Sequence, residues 1–441
     1  MSKYFVIAWV LVVFSCQRDT SSEGMKATHL GELDSSITWD IDREDYADRL
    51  EGFWLATSIG NWTGLITEMD KIGNVGSIQT GPFYTREDWG RTDQPNIWDE
   101  GVPSRISPTI DFVLRTGDEI WGADDDTDLE YMYQHLILKN QNPMLSPEQI
   151  REGWLQHIAS EEENYLWVSN QRAFDLMREG WLPPETGKPE NNEHYEMIDA
   201  QLTTEIFGLY APGKPDLARA MAQLPIQTVA REEAEDIAQF YVTMFSVSAG
   251  ATLQAKGRIS EADRAQILFQ AALQARSYLP DEQYPAHMFD YVTQLYNSGI
   301  PWEAARDSIY ATYQLQQKGG YDMSSQQLYC NGCFAAGINF AASLISLYYG
   351  EGNLQQTIQI GSLCGWDSDN PTATWAGLIG FLMGSRAIDE AFRVDLSRQF
   401  FIHRTRQNFP NNGLDTFTNM GLNGLKVLEL VQQMENRNID L

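Results

Sequence analysis

Gly361-Ser362-Leu363-Cys364-Gly365-Trp366-Asp367-Ser368-Asp369-Asn370-Pro371, followed by an almost wholly apolar run to Gly384, decides how the rest of the chain is read. Asp367 and Asp369 stand two apart in a glycine-flanked loop. Asn370 before Pro371 is a helix-start signal, with Asn as N-cap and Pro at the first helical position. The helix that follows carries Ala373, Trp375, Ala376, Leu378, Ile379, Phe381, Leu382 and Met383. It has no polar face and therefore belongs inside a core, where Gly377, Gly380 and Gly384 let neighbours approach closely. Two carboxylates thus sit at the mouth of a buried helix. Burial penalises them unless a cation, hydrogen-bond donors or the helix dipole compensates.

The device recurs at Gly122-Ala123-Asp124-Asp125-Asp126-Thr127-Asp128-Leu129-Glu130. Thr127 and Glu130 have the spacing of a capping box ahead of Leu129, Met132, Tyr133, Leu136 and Ile137. Taken singly, such a cluster reads as a solvated acidic turn that complements the dipole. A third piece lies upstream, where a helix ending near Gly60 runs into a glycine-punctuated loop that presents Asn61 and Glu68. Hard oxygen donors of this kind suit magnesium, manganese or calcium.

Together, Gly60-Asn61, Gly64 and Glu68, then the aspartate triplet, then Gly365-Trp366-Asp367-Ser368-Asp369-Asn370 resemble the ADP-ribosylglycohydrolase family in order and spacing. That family typically reads Gly-Asp-x-x-Gly-x-x-x-Glu, then Thr-Asp-Asp-Thr, then Gly-Gly-Asp-Thr-Asp-Thr before a Gly/Ala-rich helix. The resemblance implies an all-α fold, a single large orthogonal helical bundle, with a centre of two divalent cations, Mg or Mn. It implies Asp124, Asp125, Asp126, Asp367, Asp369 and Asn370 as metal ligands, Glu68 and Asp126 as catalytic carboxylates, and Asn61, Trp366 and Ser368 at the substrate. Four positions depart from the family pattern: Asp124 and Asn370 each replace a Thr, Trp366 a Gly, and Asn61 an Asp. Oxygen donors survive at Asp124 and Asn370. The Trp366 ring is expected beside the cations, where it would stack on the bound sugar or base.

The chain opens with Lys3, an apolar run from Tyr4 to Phe14, and Val13-Phe14-Ser15-Cys16. This reads as a signal peptide over residues 1–15, too short to span a bilayer. The ending resembles a bacterial lipoprotein signal, which implies lipidation of Cys16 and an envelope location, periplasm-facing or extracellular. Residues 16–39 read as a polar tether and 40–441 as one helical domain, because the three motif pieces need one another across the chain. Cys330 and Cys333 read as a short disulfide or as small packing side chains; no spacing supports a zinc site.

With 31 basic against 61 acidic residues and a formal charge of −30, nucleic acid and anionic membrane surfaces are poor partners, and no nucleic-acid partner is expected. Membrane contact is expected through the lipid anchor alone. Periodicity predicts helices over 146–181, 192–210, 215–254, 260–276, 284–298 and 301–317, another from Asn331 to Gly350, a short one over 353–360 and a last one near 422–434. Residues 72–108, rich in Gly, Pro, Asp and Trp, read as a long irregular segment near the site. The six histidines read as ordinary surface or core residues. The expected activity is hydrolysis of an anomeric bond, N- or O-glycosidic, in an ADP-ribose-like sugar conjugate. The alternatives are a glycosidase for another extracytoplasmic nucleoside or glycan, and a non-catalytic, metal-dependent sugar-binding lipoprotein.

Overall fold

A computed structural model of the protein describes residues 41–98, 105–160, 163–254 and 257–437. The predicted signal (1–15) and tether (16–39) lie outside them. Fifteen α-helices follow in chain order among the described residues: α1 (Arg43–Gly64), α2 (Asp125–Asn140), α3 (Pro147–His157), α4 (Val168–Arg178), α5 (Ile206–Leu209), α6 (Pro215–Gln227), α7 (Glu232–Gln254) and α8 (Glu261–Arg276), then α9 (Tyr284–Asn297), α10 (Trp302–Ile309), α11 (Ala336–Gly350), α12 (Leu354–Cys364), α13 (Asp369–Met383), α14 (Ser385–Phe392) and α15 (Phe417–Asn436). The fold is all-α. Two short sheets decorate it, an antiparallel hairpin β1 (Asn74–Val75) with β2 (Ile78–Gln79), and β3 (Trp121–Gly122) parallel to β4 (Gln399–Phe401), which pairs antiparallel with β5 (Leu414–Thr416).

Helices α1 and α13 form the central pair, and glycine permits it. A Cβ on Gly52 would stand 2.5 Å from the Gly380 carbonyl oxygen, and one on Gly64 2.6 Å from Thr372 Oγ1 and 2.7 Å from the Ser368 carbonyl oxygen. Backbones this close leave no room for any side chain at those positions. Helix α13 is buried along nearly its whole length, as its apolar run requires, with α7, α11 and α12 packed around it. Ring contacts such as Tyr241–Trp375 and Phe240–Phe340 fill the space between them.

Several helix boundaries differ from those read off the periodicity. The run 146–181 breaks at Ile158, whose extended backbone (φ −108°, ψ 133°) ends α3. The 192–210 segment is mostly a 3-10 turn (Ile198–Thr203) followed by the single-turn α5, because its buried polar side chains serve other elements instead of a helix stripe. The run 215–254 divides at 228–231 into α6 and α7. Helix α13 starts at Asp369, with Asn370 inside its first turn. In α2 the capping pair is Asp124 and Thr127, whose Oγ1 accepts the Asp124 N–H at 3.0 Å. Glu130, the expected capping partner, instead accepts the Ile206 N–H at 2.8 Å within the core. Cys330 and Cys333 are joined by a disulfide, and Cys364 is buried and free. No described helix is long and apolar enough to cross a membrane.

Candidate metal centre and active site

Three chain segments meet at the α1–α13 crossing. Past the end of α1, the loop to Lys71 is clamped to the α12–α13 loop: the Met69 N–H donates to the Trp366 carbonyl (2.9 Å) and the Trp366 N–H to the Lys71 carbonyl (2.8 Å). Gly365 (φ 98°) and Trp366 (φ 58°) adopt left-handed backbone to make this clamp. It brings Glu68 beside Asp367 and Asp369, each offering an oxygen within 4.8 Å of the others. The N-terminus of α2 comes in from the other side, so that Asp124, Asp125 and Asp369 form a second set within the same limit. Asp126 joins through Asn61, whose Nδ2 donates to Asp126 Oδ2 at 3.1 Å and lies 3.4 Å from oxygens of both Asp124 and Asp369.

Asp124, Asp126, Asp367 and Asp369 are buried, while Glu68 and Asp125 are half-buried. Burial pushes the carboxyls of Asp125, Asp126, Asp367 and Asp369 well above the usual carboxylate range, and their mutual repulsion adds to it: Glu68 acts on Asp367 and Asp369, Asp124 on Asp125, and Asp369 on Asp126. Arg404 Nη1 forms an ion pair with Asp124 Oδ1 at 2.6 Å. Buried acceptors remain without a donor, Asp369 Oδ1 and Asn61 Oδ1. A compact set of hard oxygen donors with orphaned lone pairs and surplus negative charge fits divalent cations such as magnesium or manganese.

The match of a protein-family model described as ADP-ribosylglycohydrolase runs over residues 42–417 and contains all three segments. The chain belongs to the ADP-ribosylglycohydrolase family. Among solved structures, an "ADP-ribosylglycohydrolase-related protein complex" is similar at 13% identity and a TM-score of 0.47, covering 88% of this chain and 99% of that one. No curated protein matches.

Within this ADP-ribosylglycohydrolase framework some expected site residues have other work. The Trp366 ring is fully buried: its indole N–H donates to Gln314 Oε1 at 2.8 Å and its face packs on Phe83, so it braces the clamp and offers substrate no surface. Ser368 is likewise buried, its hydroxyl donating to the Gly64 carbonyl at 3.0 Å. Asn370 turns its amide nitrogen to Asp126 Oδ1 (3.1 Å) and its oxygen to Gln201 Nε2 (2.7 Å), which makes it a hydrogen-bond partner of the Asp126 carboxylate. The three sets of contacts answer the demand that a tight turn and a buried carboxylate each be hydrogen-bonded.

Arg404, Asn339 and Gln201 are the residues that sequence reasoning missed. Arg404 lies far along the chain and reaches Asp124 because β3 pairs with β4, while its guanidinium covers the rings of Trp62 and Tyr165. Asn339, a polar residue in the apolar α11, accepts the Asp367 N–H at 3.2 Å. Its position in an otherwise apolar run was the available signal. Trp98, Trp167 and Phe334 stand 5.9 to 6.3 Å apart with planes inclined by 21° to 26°, and Trp167 is exposed. The Ile97 N–H donates to the Met69 carbonyl, which ties this aromatic surface to the Glu68 segment and the predicted 72–108 loop to the site.

Proposed function

We propose that the protein hydrolyses an anomeric bond of an ADP-ribose conjugate, N- or O-glycosidic, in a site that holds two divalent cations, magnesium or manganese. The carrying observation is the convergence of six carboxylates from three distant segments, with Arg404 paired to one of them. Asp124, Asp125, Asp126, Asp367 and Asp369 would hold the ions. When bound, these supply Lewis-acid orientation of sugar hydroxyls and water. Asn61 keeps Asp126 and Asp369 aligned by donating to them, and Asn339 fixes the Asp367 backbone.

Glu68, half-buried in this cluster, would be the carboxylate that meets substrate. Its carboxylate oxygen would take the proton of the attacking water as that water bonds the anomeric carbon and the glycosidic bond breaks, and would pass the proton to the departing group. The exposed Trp167 ring, backed by the near-parallel rings of Trp98 and Phe334, would let a planar base stack, which favours a conjugate bearing one. The test is a panel running from ADP-ribosyl-arginine and ADP-ribosyl-serine to nucleosides and pentosides, incubated with magnesium or manganese. Release of ADP-ribose alone supports the full reading. Cleavage confined to nucleosides or pentosides transfers it to another glycosidase, and metal-dependent sugar binding without turnover to a binding protein.

The location that goes with this reading is the bacterial envelope, lipid-anchored at Cys16. Cys16→Ser should release the protein from the membrane fraction, and continued membrane association of that variant would refute the anchor.

A further inference from the structure

Residues 329–334 read Tyr-Cys-Asn-Gly-Cys-Phe, and the disulfide between Cys330 and Cys333 closes this short turn. Its backbone is left-handed at three successive residues, Cys330 (φ 44°), Asn331 (φ 57°) and Gly332 (φ 80°). Glycine takes that conformation freely and asparagine with little penalty, but cysteine does not, so local preference alone does not hold the turn. Two links hold it. One is the disulfide, and the other is Asn331 Nδ2, which donates to the Val75 carbonyl at 3.0 Å. The inner end is fixed to the framework of the carboxylate centre. Cys333 is fully buried and its carbonyl accepts Asn339 Nδ2 at 2.9 Å, while Oδ1 of the same Asn339 accepts the Asp367 N–H. The outer end carries Tyr329.

Tyr329 is 47% exposed, so the turn does not serve to bury it. Its ring lies 6.0 Å from that of Phe334 with the planes inclined by 16°, and its hydroxyl accepts the Trp98 indole N–H at 2.6 Å. It is thus a fourth ring beside Trp98, Trp167 and Phe334. Tyr329 and Cys330 also line a cavity of about 670 Å³ whose other walls include Asp70, Lys71 and Ile97. Asp70 and Lys71 follow Glu68 by two and three residues, and the Lys71 carbonyl accepts the Trp366 N–H in the clamp. The cavity therefore borders the segment that carries Glu68. A strained turn whose product is an exposed ring on that cavity is placed for a ligand, since core packing gains nothing from it.

We infer that Cys330 and Cys333 are positioning residues for substrate: their disulfide holds Tyr329 as a wall of the cavity beside Glu68, and reducing it weakens the hold on the substrate's planar base while leaving the carboxylate centre intact. This rests on the reading above that the substrate bears such a base. The bond opens to a dithiol reductant. Cys330 is half-buried on the cavity and Cys333 is fully buried, so the reductant's thiolate attacks the Cys330 sulfur. The S–S bond breaks, and Cys333 leaves as a thiolate that takes a proton. The reductant's second thiol then attacks its own sulfur in the mixed disulfide, freeing Cys330 as a thiol and leaving the reductant as a disulfide. Two electrons pass to the cysteine pair. The turn then keeps Asn331 on Val75 but loses the tie from Cys330 to the anchored Cys333, and Tyr329 is free to leave the cavity wall.

The experiment uses the manganese-loaded protein, either oxidised or reduced with dithiothreitol and desalted under nitrogen, and measures by calorimetry the binding of AMP, of ribose 5-phosphate and of manganese. Reduction should weaken AMP about tenfold, the share of one base–aromatic stack, and leave ribose 5-phosphate and manganese unchanged. Tyr329→Ala should show the same loss of AMP affinity when oxidised and no further loss when reduced. Cys330→Ser combined with Cys333→Ser should copy the reduced protein. Should that double variant fail to fold, the reduced wild type and Tyr329→Ala decide between them. Equal AMP affinity in the two redox states overturns the inference, and so does a parallel loss of all three ligands, which marks the disulfide as a general brace. Failure of AMP to bind the oxidised protein overturns it too, even where an ADP-ribose conjugate is cleaved. Redox-dependent AMP binding without cleavage of any conjugate supports it and counts against the hydrolase reading alone.

Discussion

Gly64→Ala tests how the α1–α13 crossing positions the carboxylates. The added methyl would stand 2.6 Å from Thr372 Oγ1, 2.7 Å from the Ser368 carbonyl oxygen and closer still to the Asp369 Cα. Normal contact distances are about 3.5–4.0 Å, so relief requires the start of α13 to move by roughly 1 Å. Overpacking of this kind costs about 1–3 kcal/mol, against which alanine in place of glycine in a helix returns about 0.5–1 kcal/mol. The clash wins because two of the three obstructing groups are backbone. A net loss of about 1–2 kcal/mol corresponds to a fall of a few degrees at most in the melting temperature of a chain this long. The functional loss should be larger in proportion, since a displacement of about 1 Å at a reacting centre costs about 10²-fold in rate. Gly52→Ala is the control: it meets the Gly380 carbonyl at 2.5 Å, at the opposite end of α13 from Asp369. Differential scanning fluorimetry and manganese titration on both variants read the outcome. Both should lose stability, and only Gly64→Ala should lose manganese affinity and turnover. Equal manganese affinity in the two variants would refute the reasoning.

Asp126→Ala and Asp369→Ala should each lose metal occupancy and activity while keeping wild-type helical content, because the carboxylates sit at helix starts and do not make the core; either variant with full metal and full turnover would sink the ligand assignment. Arg406→Met should destabilise the protein by about 3–5 kcal/mol, read by urea denaturation, because it strands Asp128, its fully buried partner at 2.8 Å. In chelator, stability should rise as the pH falls from about 8 towards 5. Burial raises Asp70 to about 8, Glu205 to about 7 and Asp199 to about 6, so the folded state takes up protons in a range where the unfolded chain, near 4, does not. His157 works the other way, since burial lowers it to about 4 and the unfolded chain gains its proton below about 6.5. Urea midpoints at pH 5.5, 7 and 8.5 check the sign, and a steady decline from 8.5 to 5.5 would contradict it.

The apolar run after Asn370 was legible as a core helix because it has no polar face, and α13 is buried accordingly. The meeting of Glu68, Asp124, Asp125, Asp126, Asp367 and Asp369 was legible as spacing that resembles a family. Trp366 was not, since a bulky ring next to two aspartates reads alike whether it faces a ligand or plugs a turn, and only its bond to Gln314 distinguishes them. Asn370 before Pro371 carried a cap signal that tertiary structure overrode: the amide is better used against Asp126 and Gln201 than against its own helix. Arg404 had no local signal, because its partner lies 280 residues away and is reached through a two-residue strand pairing.

The central claim is that this cluster is a cation-dependent glycohydrolase site in which Glu68 handles the substrate. The most direct measurement is metal content and ADP-ribose release on the same samples of wild type and Glu68→Gln, with manganese and after its removal by chelator. Wild type should bind about two ions and release ADP-ribose only with manganese present. Glu68→Gln should keep the ions and lose turnover by about 10²–10⁴-fold, the usual contribution of a positioned acid–base group. Undiminished hydrolysis in chelator, or full turnover by Glu68→Gln, would contradict the account.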